Sequence, residues 1–399
     1  MDISIAIKGV AVRQHLMNKR SIPYSTQCID ADDIRSVVRA LKSDFLTQGP
    51  EVAEFEKKVA KYCGAKYAVA FNSGTSALHG ACSAAGIGPG DEAITSPITF
   101  VASANCIIYC GGTPVFADIE NDGAALISID QIKMNITSKT KAIIPVDYAG
   151  HPCDMDEINK IAKKHGLIVI ADAAHSLGAL YKGRKVGTLA DMTALSFHAV
   201  KHITTGEGGM VLTDNKAYYD KLVKFRTHGI TRDAKGPGAW YYEMQDLGFN
   251  YRLTDFQCAL GISQLKKLDR FVKIRRRIVD KYNKAFSNIK EFGLPVEKRY
   301  TRSSYHLYPI RLGKRSISKR RQIFEDLRKL GIGVNVHYIP VPLQPYYRNR
   351  FGYKKGDFPE AEIFYESEIS LPLHQKMTKS EINHVIKSVI DTINKWSKQ

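Results

Sequence analysis

Two charged residues stand where an apolar run gives way to small residues. Asp172 closes Leu167-Ile168-Val169-Ile170-Ala171, and Lys201 follows Ser196-Phe197-His198-Ala199-Val200, just ahead of the turn Gly206-Glu207-Gly208-Gly209. A lysine amine can hold an aldehyde as a Schiff base and, once released, can carry a proton. A carboxylate can keep a pyridine nitrogen protonated, which makes the ring an electron sink. Singly, each residue has an ordinary reading: lysines behind apolar strands are common, and Asp172 could cap a following helix. As a pair at strand ends they imply pyridoxal phosphate (PLP) chemistry. Ala171, Ala173 and Ala174 are small enough to admit a flat ring beside the backbone.

Such a cofactor needs an anion site. Asn72-Ser73-Gly74-Thr75-Ser76-Ala77-Leu78 follows an apolar run and opens a helical pattern. Free N–H groups at a helix N-terminus bind phosphate, although a plain cap by Ser73 or Thr75 has the same spelling. His175 and Phe100 also keep two readings. The histidine contacts the ring or is merely buried and hydrogen-bonded, and the phenylalanine stacks on a cationic ring or packs in the core. Asn250 on its own reads as a turn or cap residue. Arg252 reads equally as a phosphate ligand or a surface ion pair.

The elements that must position these residues alternate. Residues 67–71, 92–95, 113–116, 141–146, 167–171, 193–197 and 210–213 have the β-branched runs and the Gly, Pro or Asp boundaries of strands. Residues 76–85, 100–110 and 154–165 between them have helical spacing. This alternation predicts a three-layer αβα domain with a largely parallel sheet, whose ligands collect at the carboxyl ends of strands. Asn72, Asp172 and Phe197 stand at such ends. A long helix is expected from Asp255 through Ile278, followed by strands at 305–311 and 333–337 and helices at 318–330 and 380–396. The expected division is an N-terminal extension at 1–22, a large domain at 23–275 and a smaller α+β domain at 276–399. Residues 1–20 read as an extension, or as sequence ahead of a start at Met17.

The 399 residues carry a net charge of +18, and from Gln264 onward 30 Lys and Arg face 13 Asp and Glu. No nucleic-acid-binding signature accompanies that charge, so it reads as a solvated surface, part of which steers a phosphate-bearing substrate. The seven cysteines show no metal spacing, and no metal is expected. Reduced thiols and no apolar run of spanning length point to a cytoplasmic protein without a membrane partner.

These motifs closely resemble the nucleotide-sugar aminotransferases of the DegT type, within fold-type I of the PLP-dependent transferases. The likeness runs over nearly the whole chain from Pro23. The resemblance implies that Lys201 is the Schiff-base lysine, Asp172 the partner of the ring nitrogen and His175 a contact of the ring hydroxyl. It places Phe100 on the ring face, and Gly74, Thr75, Ser76 and Ser196 around the phosphate. It implies a homodimer in which Asn250, from Gly248-Phe249-Asn250-Tyr251-Arg252, completes the neighbour's site. Substrate contacts would come from Tyr24, Asp44, Phe45, Leu46, Thr47, Gly74, Ser196, Asn250, Arg252, Tyr305, Val336, His337 and Tyr338. Several of these have a plain alternative, packing between domains. Leu46-Thr47-Gln48-Gly49, Val146-Asp147-Tyr148-Ala149-Gly150 and Ile369-Ser370-Leu371-Pro372 are most like the members that move an amino group from L-glutamate to C4 of a UDP-linked 4-keto-6-deoxy-N-acetylhexosamine. Two positions depart from that pattern: His202 stands where proline is usual, and Gly74 where alanine is. A dehydratase branch carries histidine in place of Lys201, so lysine there favours transamination. A member acting on a GDP- or dTDP-linked sugar, and a basic binding protein that lost catalysis, are the remaining readings.

Overall fold

Seven short strands make one sheet in the computed structural model, which describes residues 21–232, 236–289 and 292–397. The expected extension at 1–20 lies outside the described residues. In chain order the strands are β1 (Tyr67–Phe71), β2 (Glu92–Thr95), β3 (Thr113–Phe116), β4 (Thr140–Ile144), β5 (Ile168–Asp172), β6 (Met192–Ser196) and β7 (Gly209–Thr213). Their spatial order is β1-β7-β6-β5-β4-β2-β3. Only β7 runs against its neighbours, and the rest are parallel as expected. The expected strand at 141–146 stops at Ile144 because Pro145 has no N–H to give the ladder.

Side chains alternate between two apolar layers. Val69, Ala142, Ile170, Ala194 and Val211 face one layer. Ala70, Ile143, Val169, Leu195 and Met210 face the other. Burial on both faces explains why these strands read as continuous apolar runs. Helices α1 (Ala31–Leu41) and α2 (Pro50–Cys63) come first in the chain; α3 (Gly74–Ala84) and α4 (Ala102–Tyr109) cover the first face, and α5 (Met155–His165) covers the second. The long helix expected from Asp255 is two helices, α6 (Asp255–Leu265) and α7 (Leu268–Phe286). The break falls at Lys267, whose N–H closes a tighter turn onto the Gln264 carbonyl. Its ammonium pairs with Asp30 and Asp33 at the start of α1.

A second apolar cluster gathers α7, α8 (Arg320–Lys329), α9 (Lys379–Ser397) and a small antiparallel sheet. That sheet is β8 (Phe292–Gly293), β9 (Tyr308–Leu312) and β10 (Glu368–Leu371), with β9 in the centre. Ile22 is buried in this cluster and bridges to Ile332. The strand expected at 305–311 begins only at Tyr308, because Tyr305 is left-handed with φ 50°. Residues 333–337 are not a strand; they make one bridge, Asn335 to Ser370. No described helix is long and apolar enough to cross a membrane.

Candidate active site

The carboxyl ends of β1, β5 and β6 open onto a cavity of about 560 Å³, and Asp172 and Lys201 both line it. Asp172 is buried at the end of β5. One carboxylate oxygen accepts the Ser103 hydroxyl of α4 at 2.5 Å and the other accepts the Ala174 N–H at 3.1 Å. Burial raises its pKa, opposed by those two donors and by the Lys201 charge. Lys201 is half-buried in the loop after β6, its N–H bonded to the His198 carbonyl at 2.9 Å. Burial pulls its ammonium down to about 8, against the Asp172 charge that raises it and with the Arg275 guanidinium that lowers it further. The pair therefore combines a carboxylate held by two donors with an amine that loses its proton readily.

Helix α3 points its N-terminus at the same cavity. Ser73 caps it, accepting the Ser76 N–H at 3.0 Å, while the Ser76 hydroxyl bonds the Asn72 side chain at 2.7 Å. Ser76 was expected to offer its backbone N–H to a phosphate, but that N–H is taken by the cap. The N–H groups of Gly74 and Thr75 have no partner in the helix, and both residues line the cavity together with Ser196. Two glycines permit this approach. A Cβ on Gly74 would sit 3.0 Å from the Ser196 Cβ, and one on Gly209 would lie 2.2 Å from the Ser73 carbonyl oxygen.

Aromatic and imidazole rings close the remaining walls. Phe100 is 58% exposed and lines the cavity, so it does not pack in the core. Tyr338 lies between it and His175, 6.3 Å from each ring centroid. His175 Nε2 is 3.3 Å from the Tyr338 hydroxyl, and its buried Nδ1 has no partner. Burial first, then the Lys201 charge, keeps this imidazole neutral. Tyr24, Val336 and His337 complete the expected residues that line the cavity.

Other expected residues lie elsewhere. Tyr305 is buried, its ring against the Arg276 guanidinium; its neighbour His306 lines the cavity instead. Asp44, Phe45, Leu46, Thr47, Asn250 and Arg252 do not line the cavity of their own chain. Thr47 bridges to Thr254 and the Leu46 carbonyl accepts the Asp255 N–H, while Asn250 bridges to Thr227. His202 is buried and donates from Nε2 to the Ser304 carbonyl at 3.1 Å, with its ring 5.6 Å from His306. Several residues of the site went unread in the sequence. Ser103 sits one helical turn beyond Thr99, and the 2.6 Å bond between their hydroxyls was hidden by an apolar helix. Asn335 lines the cavity from the segment read as a strand, and His198 and Glu207 from loops whose spelling carries no periodic signal.

Residues 27–390 match the DegT/DnrJ/EryC1/StrS aminotransferase family. The chain belongs to that family. It is 41% identical over 382 residues to the UDP-4-amino-4,6-dideoxy-N-acetyl-beta-L-altrosamine transaminase of Campylobacter jejuni, across 94% of this chain and 99% of that one. Helicobacter pylori PseC, an aminotransferase involved in the biosynthesis of pseudoaminic acid, is similar with a TM-score of 0.89 and 36% identity, over 94% of this chain and 100% of that one. Spr1654 of Streptococcus pneumoniae, solved in its PMP form, is similar with a TM-score of 0.90 and 34% identity, over 94% and 99%. The protein is a DegT-type sugar aminotransferase and its cofactor is PLP. The cavity suits that group: it offers unpartnered N–H groups for a phosphate, a buried carboxylate, a readily deprotonated amine and an unsatisfied imidazole nitrogen.

Proposed function

We propose that this DegT-type enzyme moves an amino group from L-glutamate to C4 of a UDP-linked 4-keto-6-deoxy-N-acetylhexosamine. The observation that carries the chemistry is Asp172 and Lys201 on one cavity with the open N-terminus of α3. The likeness to the C. jejuni transaminase supports the sugar. PLP, when bound, would supply the electron sink that transamination needs. The Gly74 and Thr75 N–H groups and the Ser196 hydroxyl would hold its phosphate, Asp172 would keep the ring nitrogen protonated, and Phe100 would lie in the wall beside it. Lys201 would anchor the cofactor and, as a free amine, would move the proton at the reacting carbon. Its depressed pKa suits that task near neutral pH.

The segments 44–47 and 250–252 serve a second copy in this reading. Phe45 and Leu46 are exposed apolar side chains of the first of these segments, and a homodimer would cover them. Asn250 and Arg252 then complete the neighbour's site. Such an enzyme works where sugar nucleotides are made, in the cytoplasm. The test is a titration. The holoenzyme is converted to its amine form with L-glutamate and offered UDP-, GDP- and dTDP-linked 4-keto sugars. The aldehyde-form absorbance should return with the UDP-linked N-acetyl sugar, with a 4-amino product by mass. Return only with a GDP- or dTDP-linked sugar, or with none, overturns the reading.

A further inference from the structure

The turn 303–306 docks on the loops that follow three neighbouring strands. After β4, the Gly150 carbonyl accepts the Ser304 N–H at 3.0 Å and the Ser303 hydroxyl at 2.9 Å, and the Ala149 carbonyl accepts the His306 N–H at 2.8 Å. After β5, the His175 carbonyl accepts the Ser304 hydroxyl at 3.1 Å; the Gly150 carbonyl lies farther from that hydroxyl, at 3.5 Å. After β6, His202 Nε2 donates to the Ser304 carbonyl at 3.1 Å. The strands β4, β5 and β6 lie side by side in the sheet. Ser304 therefore ties the loop of Lys201 to the loop of Asp172 and His175.

The turn is itself held on two sides. Arg275 of α7 is fully buried and donates from Nη1 to the carbonyls of Tyr305, His306 and Leu373, at 3.3, 3.2 and 2.8 Å. Gly150, with φ 94°, permits the close approach: a Cβ there would lie 2.8 Å from the backbone nitrogens of Tyr305 and His306. Lys201, by contrast, sits in a loop. The Ser25 hydroxyl holds the carbonyl of Val200, just before it, at 3.1 Å, and the His202 ring anchors the residue just after it. A carbonyl only accepts, so His202 Nε2 carries the proton. Burial first, then the Arg275 charge, keeps the ring neutral, and that N–H is its one ring donor. Neither His202 nor Ser304 lines the cavity.

We propose that His202 and Ser304 are positioning residues that form one bridge, His202 to Ser304 to the His175 carbonyl, and that this bridge sets where Lys201 stands relative to Asp172. Its two hydrogen bonds act in series between buried groups, where water does not compete for them. Breaking either one frees the Lys201 loop, and a displacement of about 1 Å at a reacting group can cost about a hundredfold in rate. The inference rests on Lys201 being the lysine that takes up PLP.

Stopped-flow absorbance of the full-length apoenzyme mixed with PLP reads how fast Lys201 takes up the cofactor, apart from any turnover. His202→Phe keeps a flat ring beside His306 and loses the donor, His202→Gln keeps an amide N–H near the place of Nε2, and Ser304→Ala cuts the second bond. His202→Phe and Ser304→Ala should each slow uptake about tenfold, and the double variant no more than the slower single, because one bridge breaks only once. His202→Gln should recover most of the parental rate. In the glutamate half-reaction of the holoenzyme the maximal rate should follow the same order, with the half-saturating glutamate concentration nearly unchanged. Losses that multiply in the double variant, or His202→Phe as fast as His202→Gln, overturn the proposal. Ser304→Ala removes a single oxygen, so a parental uptake rate in that variant overturns it even where His202→Phe does not fold. A parent enzyme that takes up no PLP at Lys201 overturns the reading of Lys201 itself, and the bridge with it.

Discussion

Lys201 is the residue whose environment departs most usefully from that of a free side chain. With its pKa pulled to about 8 by burial, roughly a tenth of it is free amine at pH 7, against well under a thousandth for an ordinary lysine. The sign is that of a cation disfavoured by desolvation: the amine gains as pH rises through the lowered value. Reconstitution of the apoenzyme with PLP should accordingly quicken with pH to a half-maximum near 8, not above 10, in stopped-flow absorbance. Asp172 has the opposite task. Burial works against its charge, and the Ser103 and Ala174 donors offset part of that cost. Asp172→Asn, nearly isosteric but neutral, should lower kcat by about a hundredfold or more, in line with the loss of one electrostatic partner of a transition state. Ser103→Ala should give a smaller loss, about tenfold, since it removes one charge-assisted hydrogen bond.

At the scale of elements, the turn into α3 shows how a site depends on close backbone approach. Gly209 begins β7, and its missing side chain leaves room for the Ser73 carbonyl. Gly209→Ala should destabilise the fold by about 1–3 kcal/mol, the usual cost of forcing a methyl into a packed place, and weaken phosphate binding, as thermal unfolding and PLP titration would show. The strands of the large sheet were legible because burial on both faces makes them continuous apolar runs, and Asp172 was legible because it ends one. Boundaries set by single backbone events were less so. Pro145 cuts β4 short, the Lys267 turn splits the long helix, and the left-handed Tyr305 moves β9 and turns His306 towards the cavity. None of these leaves a period in the sequence. Ser103 was illegible for another reason: it acts through a partner far away in the chain, Asp172.

For the whole molecule, the proposed dimer and the cationic C-terminal third make separate claims. If Asn250 completes a neighbour's site, Asn250→Ala and Lys201→Ala proteins are each nearly inactive. Mixed under conditions that exchange subunits, they should recover about a quarter of parental activity, since half of random dimers are mixed and each has one intact site. The excess of Lys and Arg beyond Gln264 should make kcat/KM for the anionic sugar nucleotide fall with ionic strength, with a flatter response for glutamate.

The central claim, that Lys201 and Asp172 serve one cofactor, is tested most directly by locating the covalent attachment. Borohydride reduction of the holoenzyme followed by peptide mass mapping should find the pyridoxyl phosphate increment on the peptide containing Lys201 and on no other. Attachment at a different lysine, or no attachment in a protein purified with saturating PLP, would contradict the account.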